Sequence, residues 1–330
     1  GGMSYSPDEV KGRLAAVGFP DSRTQTVAGF IEDTIVGPRL PQHVCFAYVD
    51  FDLYRPILTA LEFLHQEEAD QLAACIEAGH RHGIEIHPWR VNWCILRADA
   101  EQKQALGEAG LLVLAVEQAR GEDERESTYR WSSRWRDPSA QVNRDLEFNM
   151  MIEMVEKYDV DGIHFDYMRY PSKFYCYCDH CRERFQEWAG VTVENWPDDC
   201  WDGGKHLKAF RDWRRHLQTS LVKRIAERAR ELDPEIGISL AARASMTGAP
   251  EYDAQDWMTW AHEGYLDLLC PMDYTSSVEV LRRKLEPQVE VIDGVIPVYA
   301  GLGVSPTRSS TAVNLSQQIA AARELGADGF

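Results

Sequence analysis

Residues 158–171 read YDVDGIHFDYMRYP, and this stretch decides the fold class of the chain. Its short apolar segment, residues 160–165 (VDGIHF), runs directly into Asp166. Short runs rich in β-branched and aromatic residues are typical of strands that are buried on both faces of a parallel sheet. We therefore interpret the segment as a buried strand that carries Asp166 at its carboxyl end.

Further apolar runs of this kind occur on both sides of it. They are residues 43–49 (HVCFAYV), 83–87 (GIEIH), 236–240 (IGISL), 266–270 (LDLLC) and 295–299 (VIPVY). Helical patterns separate most of these runs. The clearest extends from Leu207 to Leu232, where apolar residues recur at steps of three and four. A second helix is predicted to begin at Asp137-Pro138 and to bury Leu146 and Met151. Weaker patterns cover residues 67–82, 277–291 and 314–325.

Repeated strand–helix–strand order predicts a parallel sheet, either open or closed into a barrel. No glycine-rich nucleotide-binding motif opens the first helices, and polar side chains follow many of the strands, as at the catalytic face of a barrel. We predict an α/β fold of the (β/α)₈ TIM type, as a single domain over residues 1–330. Its first strand either precedes residue 1 or is the weak residues 14–19. Residues 92–136 and 172–205 are too long for ordinary loops and are interpreted as excursions at the carboxyl-terminal face.

The charge balance limits the partners of the protein. Lys and Arg number 35 against 53 Asp and Glu, a formal net charge of −18. Nucleic acids and anionic membranes need a basic surface, so both are disfavoured as partners, whereas a neutral sugar is not. No apolar run reaches the roughly 20 residues of a membrane span. The N-terminus, Gly1-Gly2-Met3, carries no sign of a signal peptide.

Asp166 has the surroundings of a working carboxylate. Arg169, Tyr167 and Tyr170 follow it within four residues. A guanidinium and phenolic hydroxyls would keep the carboxylate ionised, which a glycosidase nucleophile requires. The alternative is a structural ion pair between Asp166 and Arg169.

The stretch DGIHFDYMRYP resembles the signature of the glycosyl-hydrolase-like family 10 barrels. Residues 256–275 (DWMTWAHEGYLDLLCPMDYT), 83–93 (GIEIHPWRVNW), 236–243 (IGISLAAR) and 326–330 (GADGF) are similar to later and earlier segments of that family, in order. The resemblance implies a (β/α)₈ fold and hydrolysis of glycosidic bonds in bacterial cell-wall or other polysaccharide, outside the cytoplasm. It implies Asp166 as nucleophile or as the carboxylate that stabilises the oxocarbenium ion, positioned by Arg169 and Tyr170.

Hydrolysis needs a second carboxyl group, about 5–5.5 Å away for a retaining enzyme and roughly 6.5–9.5 Å for an inverting one. We expect retention, with Asp273 as the general acid. Asp273 follows residues 266–270 in a turn that could desolvate the carboxyl group and raise its pKa. A turn-capping role is the alternative for this residue. Other candidates for the acid are Asp50, Asp52, Glu117 and Asp256.

Further residues after the predicted strands are candidates for sugar binding. Aromatic faces stack on pyranose rings, and imidazole, guanidinium and carboxylate groups bond to hydroxyls. The candidates are Tyr167, His87, Trp89, Arg243, Tyr274, Asp50 and Asp52.

Residues 176–181 read CYCDHC, which places three thiols within six residues. Cys176, Cys178 and Cys181, with His180 or Cys200 as a fourth ligand, could form a tetrahedral zinc site. Such a metal would fix the excursion and take no part in catalysis, which needs no cofactor. Free thiols and a disulfide are the alternatives.

Two other functions remain open. A barrel that binds carbohydrate without hydrolysing it would keep Trp89, Tyr274 and Arg169. A metal-dependent amidohydrolase or deacetylase would need histidine ligands at strand ends, where His87 is the one well-placed candidate.

Overall fold

The computed structural model describes residues 70–95, 100–122, 134–303 and 312–330. The chain divides into two compact units, Gly1–Ile86 and His87–Phe330. The interpretation of residues 1–330 as one domain remains a prediction. The predicted strand at residues 43–49, the weak segment at 14–19 and the candidates Asp50 and Asp52 lie outside the described residues.

In the first unit, the described residues form helix α1, Gln71–Arg81. Asp70 begins the helix by accepting hydrogen bonds from the backbone N–H groups of Leu72 and Ala73. The helix lies within the predicted residues 67–82.

The second unit alternates strands and helices. In chain order they are β1 (Trp89–Val91), α2 (Ala100–Glu108), α3 (Val116–Ala119), α4 (Gln141–Lys157), β2 (Gly162–Asp166), α5 (Asp179–Ala189), a 3₁₀ turn (Asp198–Cys200), α6 (Leu207–Leu232), β3 (Gly237–Ala242), α7 (Gly248–Tyr252), α8 (Trp257–His262), β4 (Leu268–Pro271), α9 (Val278–Ile292) and α10 (Ala312–Glu324). Among the described residues, no helix is both long and apolar enough to span a bilayer.

The strands form one parallel sheet in the order β1-β2-β3-β4. Single parallel bridges continue it from Leu269 to Val298 and from Tyr299 to Gly329. Each strand thus pairs with its neighbour in the chain, and the order never reverses. An open doubly wound sheet reverses its order at a switch point, whereas a barrel does not. The described sheet therefore has the topology of a (β/α)₈ barrel.

The two faces of the sheet have different roles. Ile163, Phe165, Ile238 and Leu240 are fully buried on one face, where the helices pack. Strand alternation places His164 and Asp166 on the opposite face, and pairing sets Trp89 opposite His164 and Val91 opposite Asp166. This second face carries His164 and Asp166, whereas Arg90 of β1 pairs with Phe165 and reaches Glu147 of α4 on the first face.

The predicted strand at residues 83–87 is wrong, because the strand is Trp89–Val91. Ile86 instead lies against α1, where a Cβ on Gly79 would come within 2.7 Å of Ile86 Cδ1. Pro88 has no N–H to donate, although its carbonyl accepts a bond from the His164 N–H at 3.1 Å. The strand that the apolar pattern suggested therefore begins only after the proline.

The predicted helix start at Asp137-Pro138 is also wrong by a few residues. Helix α4 begins at Gln141 and buries Asn143, Glu147, Met151 and Ile152. Leu146, predicted to be buried, is exposed. Two of the four buried residues of α4 are polar, so the positions of its apolar residues alone predict the wrong buried face.

The two long excursions form a connected layer. Isolated antiparallel bridges join Cys94 to Trp135, Leu112 to Arg136 and Ala115 to Tyr175. Helices α2 and α3 lie in the first excursion, as its length suggested, and α5 lies in the second. These segments are thus linked to one another by backbone hydrogen bonds.

Candidate active site and a buried cysteine cluster

Asp166 ends β2 and is held by two hydrogen bonds. Its Oδ1 accepts from the Tyr167 backbone N–H at 2.7 Å, and its Oδ2 accepts from Trp89 Nε1 at 3.2 Å. The aspartate is 6% exposed, whereas Trp89 is 66% exposed. The site therefore joins an enclosed carboxylate to an open aromatic surface.

The electrostatics of Asp166 differ from the expectation. Burial raises the pKa of its carboxyl group, and the opposing effects of the Tyr167 N–H, the Arg169 charge and the Trp89 indole do not cancel that rise. The expected phenolic donors are replaced by the indole and the backbone N–H.

Tyr167 and Arg169 support the turn that follows β2. Tyr167 has a φ of 56°, a left-handed conformation that is uncommon outside glycine. Its ring packs edge-on against Trp135 at 5.5 Å, and the Arg169 guanidinium lies 4.6 Å from the ring centroid. Arg169 Nη1 also donates to the carbonyls of Tyr170 and Pro171, at 3.2 and 3.5 Å. Arg169 thus holds the turn directly and Asp166 through its charge.

Tyr170 lies in the interior, which argues against the expected contact with substrate. Its side chain is almost completely buried, and the Arg214 guanidinium lies 4.0 Å from its ring centroid. Its backbone N–H donates to the Asp253 carbonyl at 2.8 Å. Burial raises the pKa of its phenol well above the ordinary value. Tyr170 therefore packs in the interior below the turn that follows β2.

Arg243 follows β3 and pairs with a carboxylate that the sequence did not indicate. Its Nε lies 2.7 Å from Oδ2 of Asp253, which is buried, while about half of the arginine side chain remains exposed. The Arg243 N–H donates to Gln255 Oε1 at 2.7 Å. The loop after β3 folds back and places Asp253 beside the end of β3. The spacing of the two residues in the sequence does not predict this contact.

Asp273 follows β4 but is closed off from solvent. The residue is 0% exposed, and its Oδ1 accepts from Gln288 Nε2 of α9 at 3.1 Å. Burial raises the pKa of its carboxyl group to about 6, as the sequence suggested. A general acid must contact the glycosidic oxygen, so this buried position argues against the expected catalytic role.

His87 lies at the opposite end of the sheet. A Cβ on Gly162, the first residue of β2, would come within 2.3 Å of His87 Nδ1. Asp166 is four residues further along the same strand, roughly 13 Å away at about 3.3 Å per residue. Because the true strand begins after Pro88, His87 precedes it and does not reach the catalytic face.

The remaining candidates have separate places. Tyr274 follows β4 with an exposed side chain. Glu117 is buried in α3, and Asp256 caps α8 by accepting from the Thr259 N–H at 3.5 Å.

Glu147 of α4 is a buried carboxylate that sequence reasoning missed. Its Oε1 accepts from Arg90 Nη2 at 3.3 Å and from the Trp93 N–H at 3.1 Å, and its Oε2 accepts from Asn92 Nδ2 at 3.0 Å. These bonds fix the chain where it leaves β1. Glu147 of α4 therefore supports the carboxyl end of β1 through three hydrogen bonds.

A second cluster joins the second excursion to Asp137, the residue directly after the first excursion. One ligand atom each from Asp137, Cys176, Cys178 and Cys181 lie within 4.8 Å of one another, and all three thiols are free. Asp137 takes the fourth position that His180 or Cys200 was expected to fill. His180 is half exposed, and its Nδ1 lies 3.6 Å from Glu183. His180 stays outside the cluster because Cys178 and Cys181, three residues apart at the start of α5, lie on the inner side of the helix, whereas His180 lies on its exposed side.

The strand order, the carboxylate at a strand end and the exposed indole beside it define the class of a barrel-type glycoside hydrolase. Residues 55–313 match the family described as glycosyl hydrolase-like 10, and the chain belongs to this family. The resemblance noted from the sequence is thereby confirmed.

Solved structures agree on the fold. The chain is similar to the PgaB (BpsB) glycoside hydrolase domain of Bordetella bronchiseptica, with 12% identity, a TM-score of 0.60, and coverage of 78% of this chain and 72% of that one. A catalytic mutant of the GH42 β-galactosidase Gan42B of G. stearothermophilus gives 16% identity and a TM-score of 0.54, covering 82% of this chain and 44% of that one. The α/β barrel fold is thereby confirmed.

A curated relative matches a smaller part of the chain. The S-layer-related protein of Niallia circulans is 25% identical over 34% of this chain, and the match spans 7% of that protein's length.

Proposed function

We propose that this protein hydrolyses glycosidic bonds of a poly- or oligosaccharide at the strand-end site of Asp166. The observation that carries the proposal is the bond from the exposed Trp89 indole to the enclosed Asp166 carboxylate. Family membership supports it. The similar structures, a glycoside hydrolase domain and a β-galactosidase, support the same reaction class.

Asp166 acts as the nucleophile or as the carboxylate that stabilises the oxocarbenium ion. Two N–H donors hold its oxygens in place, so little reorganisation accompanies the development of positive charge on the sugar. The active form is ionised. Because burial raises the pKa of the group, activity should fall on the acid side at a higher pH than for an ordinary aspartate.

Trp89, Arg243 and Tyr274 form the sugar-binding surface. Arg243 and Tyr274 follow β3 and β4 at the carboxyl end of the sheet, and the Trp89 indole reaches this end from the first residue of β1. All three side chains are exposed. The indole face stacks on the C–H face of a pyranose, and the guanidinium and phenol bond to its hydroxyls. Asp253 holds one side of Arg243 and leaves the rest of its donors free for a substrate. The net charge of −18 favours a neutral glycan, such as a cell-wall polysaccharide, over a polyanionic one.

The general acid is proposed from the sequence as Asp50 or Asp52, since Asp273 is buried. A retaining reaction requires the general acid about 5–5.5 Å from the nucleophile. Asn variants at the two positions should lose activity on natural glycans while keeping it on aryl glycosides with acidic leaving groups, which need no protonation. Proton NMR of the first-formed anomer would distinguish retention from inversion.

The central experiment compares wild type and Asp166→Asn on a panel of neutral cell-wall and plant oligosaccharides. Products are followed by mass spectrometry and reducing-end release, and binding by calorimetry. We expect a loss of at least about 10³-fold in kcat with the binding constant nearly unchanged. Asp145→Asn, an exposed aspartate on α4, is the matched control. Full activity in Asp166→Asn would exclude this residue from the mechanism.

A second candidate is a carbohydrate-binding barrel without hydrolysis. The enclosure of Asp273, which removes the expected partner of Asp166, favours it. This function predicts that wild type binds an oligosaccharide from the panel, that Trp89→Ala loses the binding, and that no product forms over long incubation.

A further inference from the structure

We propose that Asp137, Cys176, Cys178 and Cys181 bind one zinc ion that ties the second excursion, residues 172–205, to the segment directly after the first one. The site lies apart from the proposed catalytic carboxylate and goes beyond the proposed hydrolysis. Asp137 comes from the segment before α4, Cys176 and Cys178 from the turn that leads into α5, and Cys181 from the first turn of that helix.

The donor set and its geometry fit zinc. Three thiolates and a carboxylate are ligands that zinc accepts in a closed tetrahedral site. Zn–S bonds of about 2.3 Å and Zn–O bonds of about 2.1 Å at tetrahedral angles imply S···O separations of roughly 3.6 Å. Cys181 Sγ and Cys178 Sγ lie 3.3 and 3.8 Å from Asp137 Oδ2. The donors are thus already spaced for one ion.

A second set of contacts orients these ligands. Ser139 donates from its N–H to Asp137 Oδ1 at 2.9 Å and from its hydroxyl to Oδ2 at 2.6 Å. Backbone N–H groups point at two of the sulfur atoms, with Leu114 N at 3.1 Å from Cys176 Sγ and Cys181 N at 3.3 Å from Cys178 Sγ. Outer hydrogen bonds of this kind orient metal ligands. Such donors stabilise thiolates, which is the form that binds metal.

The four ligands of the proposed site are enclosed by the protein. Asp137, Cys176 and Cys181 are fully or almost fully buried, and Cys178 is also buried. Arg184 Nη1, at 3.3 Å from Asp137 Oδ2, is a single positive charge at the edge of the cluster. Without a metal the buried thiols would stay protonated and neutral. A divalent ion would displace these protons and offset the charge of the thiolates and the carboxylate that bind it.

The ion would stabilise the segments that pack near Tyr167. Asp137 follows Trp135 by two residues, and Trp135 packs against Tyr167, the residue after Asp166. Cys176 follows Tyr175, which pairs with Ala115 in the first excursion. Zinc would therefore join two segments that reach the turn after β2, while the catalytic carboxylate itself has no bond to the cluster.

The test begins with wild-type protein purified without an immobilised-metal column. Plasma mass spectrometry should find about one zinc per chain. After removal of zinc under reducing conditions, Co²⁺ should restore one equivalent with the visible d–d bands of a tetrahedral site and thiolate-to-cobalt charge transfer. Asp137→Asn and Cys178→Ser should each lower the affinity for the metal at least tenfold. His180→Ala and Cys200→Ser, outside the cluster, should keep it.

The wild-type measurements decide the matter even if a cluster variant fails to fold. Less than a tenth of an equivalent of zinc, together with no d–d absorption after Co²⁺ addition, would overturn the proposal. Peptide mapping without reduction that finds two of the three cysteines in a disulfide would also overturn it. Loss of zinc in His180→Ala would overturn the ligand set.

Discussion

The indole Nε1 of Trp89 donates to Oδ2 of Asp166 at 3.2 Å, from the first residue of β1 to the last residue of β2. The parallel pairing sets these residues two positions out of register, and the long indole spans the offset. One side chain therefore contributes both a stacking surface and a hydrogen bond that affects the acidity of the carboxylate.

Trp89→Phe should separate these two roles. The phenyl ring keeps a stacking face, but the donor that lowers the pKa of Asp166 is lost, so that pKa rises further. Because the ionised form is active, the acid limb of the kcat/KM profile should move to higher pH, by roughly half a unit to one unit. Trp89→Ala should in addition raise KM by about tenfold.

Trp188→Phe, which changes an exposed tryptophan on α5, is the control for this profile. An acid limb that stays in place in Trp89→Phe would show that the limb does not report Asp166.

Asp273→Asn should stabilise the protein in a pH-dependent way. The folded-state pKa of Asp273 is raised to about 6, so the folded state binds the proton more tightly than the unfolded state does. That contribution to stability is complete below the ordinary value near 4 and is lost as pH rises through about 6. At pH 7.5 the Asn variant should exceed wild type by about 1–3 kcal/mol in the free energy of unfolding, and at pH 4 the two should agree.

Denaturant titration at several pH values measures this difference, and activity is assayed on the same samples. Retained activity is expected because the side chain is enclosed. An activity loss comparable to that of Asp166→Asn would restore Asp273 as the general acid.

Arg169 should act as a positioning residue that lysine cannot replace. Its guanidinium bonds to two carbonyls and stacks on Tyr167, contacts that a single ammonium cannot reproduce. Arg169→Lys should lower kcat by about 10–100-fold with a smaller change in KM. Because lysine keeps the positive charge that lowers the pKa of Asp166, the acid limb should stay close to its wild-type position. Arg228→Lys, on the exposed side of α6, should behave as wild type. Equal effects on kcat and KM would indicate loss of substrate contact instead.

Glu147→Gln should be strongly destabilising although it changes one atom. The carboxylate accepts three hydrogen bonds in a fully buried position, and an amide would turn a donor toward the donors of Asn92 or Arg90. We expect a loss of about 2–4 kcal/mol in the free energy of unfolding, measured by urea titration. Glu153→Gln, on the exposed side of the same helix, should cost less than about 0.5 kcal/mol. Similar losses in both variants would contradict the anchoring role of Glu147.

The sequence predicts those parts of the fold in which burial and apolar character coincide. The stripe from Leu207 to Leu232 becomes α6, and the runs near residues 160–165, 236–240 and 266–270 become β2, β3 and β4 with shifts of one or two residues. Strand β1 was misplaced because Pro88 delays pairing. The hydrophobic pattern alone therefore predicts the position of a strand when every residue in it can donate a backbone hydrogen bond, which Pro88 cannot do.

The site was harder to predict, since its polar residues come from distant segments. Asp166 could be found because it ends a strand within one motif. Asp137 lies 39 residues before Cys176 in the chain, and Asp253 lies ten after Arg243, so spacing gives no sign of either contact. Glu147 was overlooked because a charged residue on a helix was assigned to the exposed face. Asp273 was placed correctly at a strand end, but its direction depends on Gln288, which belongs to the next helix.

The left-handed backbone of Tyr167 limits which residues can follow β2. Glycine would adopt this conformation without strain, but it would remove the ring that contacts Arg169 and Trp135. A β-branched residue would be strained in this conformation and would also lack the ring. Sequence drift at this position is therefore confined to a narrow set of flat, unbranched side chains.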